Sequence, residues 1–203
     1  MDGVIKNFET KLSGIDFQTI ENSKHSIFGL SAKLELIYFN KAWFEFALLN
    51  KGEPSISTRF PLGTPFQNAI TGKLGQFYVE KFLNVMKCGQ PWYHEYECSS
   101  SRTYRIFHQG VYPLKKGERL IVVNSIKIEK KIRRRDGAVF SPKKKDYIQE
   151  FGLMTQCSNC RRMQRANQSE IWDWVPCWVD NIPKEVSHSI CPICFDFYWT
   201  PIK

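Results

Sequence analysis

The sequence predicts an α+β chain: two leading strands, a helical middle and a closing three-stranded meander, followed by a short cysteine-bearing tail. Three observations predict it. Runs rich in β-branched and aromatic residues recur five times before residue 130. Between the second and third runs lie two stretches whose apolar residues cluster at helical spacing. Beyond residue 150 two Cys-x-x-Cys pairs appear, Cys157/Cys160 and Cys191/Cys194, with thirty residues between them.

Residues 2–22 mix polar and apolar side chains and suit a short helix with a loop. "SIFGLSA" and "LELIYFN" read as two strands around a tight turn at Ala32 and Lys33. "KAWFEFALLN" clusters Trp43, Phe44, Phe46, Ala47 and Leu48 as a helix buried on one side. "KGEPSISTRFPLGTP" is a Pro/Gly/Ser-rich break. "GQFYVEKFLNVMKCG" spaces Phe77, Val79, Phe82, Leu83, Val85 and Met86 for a helix that ends on Gly89, a C-terminal cap. The strands "PWYHEYEC", "RTYRIFHQGVYPL" and "RLIVVNSIKIE" follow, with Gly117 in the hairpin joining the last two. Helices inserted between two leading strands and a meander cover one face of a single sheet.

At 203 residues the chain suits one domain with an appendage or two small domains. Its 42% hydrophobic and 14% aromatic content supplies a core and excludes wholesale disorder. No apolar run approaches the ~18 residues that read as a membrane span. The opening "MDGVIKNFETKLSG" lacks the charged leader and apolar block of a secretory signal, so a cytoplasmic protein without membrane contact is expected. The net charge of +9 divides as +4 over residues 1–126, +8 over 127–165 and −3 over 166–203. The basic stretch 130–150 reads as a solvated linker. Its Arg133, Arg134, Arg135, Lys143, Lys144 and Lys145 are the candidates for contacts with phosphates or an acidic partner.

The element order resembles the PAS fold, a five-stranded antiparallel sheet with helices across one face. "LELIYFNKAWFEF" looks like the second PAS strand, the Asn that ends it and the helix that follows, and the meander is similar to the last three PAS strands. The resemblance covers residues 22–129, after an N-terminal helical extension, 1–21. It implies a sensory protein that pairs as a homodimer, with a sheet face able to enclose haem, flavin or a metabolite. His94, Tyr96, His108, Val122 and Asn124 are the pocket candidates, and a neutral His94 or His108 imidazole could ligate haem iron. The reactive Asn-Cys-Arg motif of the family's light-sensing flavin branch is absent around Cys88 and Cys98.

Zinc takes four thiolate or imidazole ligands in a tetrahedron, and each Cys-x-x-Cys turn brings two sulfurs close enough for one ion. Cys157, Cys160, Cys191 and Cys194 complete that set, making residues 151–203 a zinc-binding module. At 53 residues the module is too short to rely on a core alone, so the metal acts as a staple. His188 lies three residues before Cys191, placed either to hydrogen-bond a sulfur or to replace one cysteine. Arg161, Arg162 and Arg165 are placed to offset the site's charge, and Cys88, Cys98 and Cys177 read as packed thiols. The tail resembles a C-terminal pattern of bacterial sensory proteins: Cys-x-x-Cys with basic residues, a Trp/Pro stretch, then Ser-His-x-Ile-Cys-Pro-x-Cys. The matching residues are Cys157, Cys160, Arg161, Trp172 to Pro176 and Ser187 to Cys194, with Ser189 standing where that pattern has Gly. This implies a bacterial signalling context with an unidentified protein partner.

The neighbours of the cysteines exclude a c-type haem, because Arg161 and Phe195 follow the pairs where histidine is needed. An iron–sulfur cluster also takes four cysteines and stays open as the redox-sensing alternative. No phosphate-binding glycine loop, HExxH or nucleophile elbow occurs, so no enzyme is expected. A nucleic-acid-binding regulator, using the basic stretch and the zinc module, is the rival reading.

Overall fold

The computed structural model describes residues 15–70, 72–114, 117–133 and 137–200. The expected N-terminal extension is therefore seen only from residue 15, and residues 1–14 lie outside the described residues. Two compact units result: Met1–Glu95 with Phe107–Ile126, and Tyr96–Ile106 with Lys127–Lys203.

The first unit opens with α1 (Phe17–Glu21), capped by Asp16, whose carboxylate accepts from the Thr19 amide at 2.9 Å. β1 (Ser26–Ser31) and β2 (Leu36–Phe39) then pair antiparallel. Their connection turns at Ala32 and Lys33, as the sequence predicts, closed by the Leu34 amide on the Ser31 carbonyl at 2.9 Å, with Leu34 itself at φ +59°. α2 (Lys41–Leu49) starts at Asn40, which is fully buried and satisfied on all sides. Its Oδ1 accepts from the Ile27 and Trp43 amides, and its Nδ2 donates to the Ile20, Ser23 and His25 carbonyls. One side chain thus closes the helix start and fastens it to β1 and to the chain entering the sheet.

The predicted break is partly ordered: α3 (Ser55–Arg59) makes little more than one turn, too short to leave an apolar period in the sequence. α4 (Gly72–Cys88) starts earlier than expected and buries Leu74, Tyr78, Phe82 and Val85 along one stripe. It ends as predicted, with Gly89 at φ +68° and its amide on the Val85 carbonyl at 2.9 Å.

β3 (Trp92–Glu97), β4 (Thr103–Leu114) and β5 (Arg119–Lys131) complete a five-stranded sheet of order β2-β1-β5-β4-β3. Gly117 makes the β4–β5 turn possible twice over. Its φ is +89°, and a Cβ there would sit 2.1 Å from the Met86 carbonyl oxygen. β1 and β5 pair with Phe28 opposite Val122 and Leu30 opposite Leu120 on one face. Phe66 and Phe82 pack over that face, their rings 5.0 Å apart, with Phe66 also stacked on Phe28. The alternate residues Ile27 and Ile121 face the other way and form a second cluster with Ile20 of α1 and Tyr38. The PAS-like architecture is present, and α1 adds a cover on the opposite face. Removing each of these aliphatic and aromatic side chains from water contributes about 1.5–3 kcal/mol.

The second unit builds a smaller sheet, of order β8-β7-β6-β9, from β6 (Met154–Cys157), β7 (Met163–Gln164), β8 (Trp172–Asp173) and β9 (Val186–Ser189). Two short helices, α5 (Pro176–Asp180) and α6 (Pro192–Trp199), accompany it. Its core is Tyr147, Met154, Met163 and Val175. The stretch 130–150 is more structured than a solvated linker. β5 runs on to Lys131, the Val139 amide donates to the Trp174 carbonyl at 2.9 Å, and Tyr147 is only 2% exposed. Its lysines stay in water while Val139, Tyr147 and Ile148 supply apolar surface to the core. Among the described residues no helix is long and apolar enough to cross a membrane.

Candidate metal centre and sheet face

The first cysteine pair sits where β6 ends and turns toward β7; the second sits at the start of α6. The parallel pairing of β6 with β9 aligns Cys157 with Ser189, and the Ser158 amide donates to the Ser189 carbonyl at 2.8 Å. This delivers Cys191 beside Cys157. Ser189 lies in extended strand, so no left-handed conformation demands glycine there. The turn after Cys157 closes with the Arg161 amide on the Cys157 carbonyl at 2.9 Å and the Cys157 amide on the Arg162 carbonyl at 2.8 Å.

All four sulfurs are buried and lie within 4.8 Å of one another, with Cys160 and Cys191 3.7 Å apart. The four cysteines are positioned to bind a metal ion. Their surroundings donate to sulfur: the Cys191 amide to Cys157 at 3.4 Å, and Asn159 Nδ2 to Cys194 at 3.2 Å. Asn159 is itself held by the Tyr198 hydroxyl at 2.8 Å. Hydrogen bonds from Cys160, Cys191 and Cys194 hold the Cys157 thiol far below the ordinary range, and the bond with Cys157 correspondingly pushes Cys160 up. The cluster thus favours thiolate at Cys157 and Cys191 and the protonated thiol at Cys160 and Cys194, and a metal taking all four as thiolates displaces those protons.

Of the three arginines expected to offset the charge, only Arg162 interacts with a ligand. Burial works to lower its pKa, but Cys160 and Glu97 outweigh that and hold it above its usual value. Arg165 pairs instead with Asp173 at 2.7 Å, and Arg161 reaches Cys98 at 3.8 Å. His188 is exposed on β9 opposite Gln156 and stays outside the four-sulfur set. Contrary to the packed-thiol expectation, Cys88 and Cys177 are exposed and Cys98 is half-buried. Cys88 falls on the open side of α4, and α5 buries Pro176 rather than its neighbour.

On the larger sheet, Val122 and Asn124 lie buried on the face beneath α2 and α4. His94 joins the helix side, stacked on Trp92 at 5.2 Å and flanked by Phe77 and Tyr78 of α4. Burial first, and then the charge of Lys81, lower its pKa to about 4 against the opposing pull of Glu95. His108 points the other way, stacked on Tyr93 with Nδ1 3.9 Å from Glu95, so it does not join the candidates. Tyr96 is half-buried and belongs to the second unit.

Gln109 was not among the sequence candidates. It is 6% exposed, and its Nε2 donates to Asn124 Oδ1 at 3.0 Å. Alternation along "IFHQGV" was the available signal, since it places Gln109 with Phe107 and Val111. Among the basic candidates, Lys144 pairs with Glu185 at 3.2 Å, Lys143 and Lys145 are exposed, and Arg133 is exposed on the chain leaving β5. Arg134 and Arg135 lie outside the described residues.

No protein-family model and no curated protein matches the chain. Among solved structures it is similar to a domain of an HTR-like protein from Haloarcula marismortui, at 14% identity and a TM-score of 0.35, covering 52% of this chain and all of that one. The photoactive yellow protein domain of the sensor histidine kinase Ppr from Rhodospirillum centenum matches at 8% identity and a TM-score of 0.37, over 56% of this chain and 95% of that one. A PAS domain from a two-component sensor histidine kinase matches at 14% identity and 0.32, over 54% and 91%. The PAS-like assignment of the fold rests on the strand order and helix placement given above.

Proposed function

We propose that the protein is a non-enzymatic sensory or adaptor protein of bacterial signal transduction, acting in the cytoplasm through a protein partner. Its PAS-like sheet takes a ligand or pairs with a second copy, and its four-cysteine module holds one zinc ion. The observation that carries the metal assignment is the mutual approach of the four sulfurs within 4.8 Å. One tetrahedral ion with Zn–S bonds of about 2.3 Å separates its sulfurs by about 3.8 Å. A multi-iron cluster divides its thiolates among different irons and spreads at least some pairs further apart. The geometry therefore favours a single ion over an iron–sulfur cluster. Bound zinc supplies no redox chemistry and acts here by cross-linking the chain.

The buried amides of Gln109 and Asn124 offer hydrogen bonds on the helix-covered sheet face, the natural place for a polar ligand group. Haem ligation by His108 is disfavoured by its outward aim. The nucleic-acid reading is weakened because Arg105, Lys144, Arg162 and Arg165 are each committed to a carboxylate.

Metal analysis with a visible spectrum of protein purified without oxygen tests the reading. The expected result is about one zinc per chain and no colour. Iron in multi-iron stoichiometry with broad brown absorption would replace the staple by a redox sensor, and a sharp Soret band would place haem on the sheet.

A further inference from the structure

We infer that the first cysteine turn is a latch on the far end of β3, through which metal binding sets the order of the β3–β4 connection, residues 97–105. This inference rests on the four-thiol site holding one ion. Everything it uses belongs to the second unit.

Arg162 carries the connection. Its guanidinium interacts with Cys160 and also donates from Nη1 to Glu97 at 3.2 Å, at the end of β3. The two side chains are 28% and 12% exposed, so each charge has little water and depends on its partner. A planar guanidinium suits this task because it can face a thiolate and a carboxylate at once.

The connection continues beyond Glu97. Ser99 Oγ donates to Glu97 Oε1 at 2.8 Å and accepts from the Arg105 amide at 3.1 Å. The Cys98 amide donates to the Arg105 carbonyl at 3.1 Å, and the Arg105 guanidinium pairs with Glu129 of β5. A chain of hydrogen-bonded groups thus runs from Arg162, two residues beyond Cys160, to β5.

Arg161 supplies a parallel contact. It sits at φ +61°, where a non-glycine residue is strained by about 1 kcal/mol or more, yet its side chain is the one that reaches Cys98. Both arginine positions are fixed by the backbone hydrogen bonds that shape the Cys157–Cys160 turn. Any ion that fixes the four sulfurs therefore fixes Arg161 and Arg162 against Glu97 and Cys98. A metal acting only as a staple for residues 151–203 would need no such link.

Hydrogen exchange on the full chain tests this, read at the Cys98 and Arg105 amides with Met154 and Val175 as references. Arg162→Ala, with one zinc still bound, should speed exchange at Cys98 and Arg105 by about tenfold or more, the scale of one lost charged hydrogen bond. Met154 and Val175 should be unchanged, and Arg162→Lys should recover part of the protection. Unchanged exchange at Cys98 and Arg105 in zinc-bound Arg162→Ala would overturn the latch while leaving the metal site intact. A wild-type chain that takes up no metal would overturn both.

Coupling between two sites is reciprocal, which provides a second variant far from the sulfurs. Glu97→Gln should weaken zinc binding, measured by chelator competition, because the strand end then no longer holds Arg162 and the turn that carries it. Undiminished zinc affinity in Glu97→Gln would contradict the latch.

Discussion

The two units reach order by different means. In the first, long strands and α4 together bury Leu30, Leu120, Val122 and Phe82 to 0% exposure, and polar groups serve mainly to fix ends, as Asn40 does. In the second, β7 and β8 span two residues each, and much of the structure is tied by charged pairs and thiols: Arg162–Glu97, Arg165–Asp173, Lys144–Glu185 and the four cysteines. Apolar burial is spread over many residues and tolerates the loss of any one. A four-ligand site is concentrated and does not. Under the proposed one-ion site, the second unit's stability is conditional on metal, which makes it the part of the chain whose state can be changed from outside.

The sharpest way to break this comparison is to remove one ligand. Cys157→Ser leaves three thiolates and a weak alcohol donor, and structural zinc contributes on the order of 10 kcal/mol to small folds of this kind. The second unit should lose its dispersed amide resonances and become protease-sensitive between residues 151 and 200. Resonances of Ile27, Leu30 and Val122 should keep their positions. A variant that retains the Met154 and Met163 side-chain signals would show that the Tyr147–Val175 core suffices without the ion.

The reverse experiment targets Asn40. Alanine there leaves the Ile27 and Trp43 amides and three carbonyls without the partner they use. The lost cap and buried bonds should destabilise the first unit by about 3 kcal/mol or more. Zinc stoichiometry should remain at its wild-type value. Denaturant unfolding monitored separately by the amide resonances of Ile27 and Leu30 and by metal release would separate the two units. Loss of zinc at the same denaturant concentration as the first unit's unfolding would mean that the two stand or fall together.

What could be read in the sequence tracks this contrast. The strands and α4 announced themselves because apolar residues repeat along them: Phe82 and Val85 were read directly, and Leu74 and Tyr78 extend the same buried face over about three turns. Cys157, Cys160, Cys191 and Cys194 were legible because metal chemistry fixes their spacing. α3 and the two-residue strands β7 and β8 were not, since elements so short leave no period. Tyr147 was hidden by its neighbours, three lysines and an aspartate that stay in water while its ring enters the core. At Gln109 and His108 the strand phase was legible too. They are adjacent on β4 and face opposite sides, a split already carried by the alternation of Phe107, Gln109 and Val111 against His108. The Arg162–Glu97 pair joins residues 65 apart, and nothing local in either segment points to the other.

His94 gives the smallest effect, one confined to the first unit. Its pKa is about 4 in the folded chain against 6.5 ordinarily, chiefly because burial among Trp92, Phe77 and Tyr78 disfavours the charged ring. Between those two values the unfolded chain binds a proton that the folded chain refuses. Stability from this group is therefore complete above pH 6.5, falls as pH drops through the window, and levels off below about 4. Other carboxylates titrate nearby, so the comparison needs His94→Phe, which keeps a ring against Trp92 and removes the proton site. The variant's urea midpoint should fall less than the wild type's between pH 7 and pH 4.5. Equal falls would show that the folded chain opens enough to charge His94, and that the aromatic cluster under α4 is looser than the apolar strands beside it.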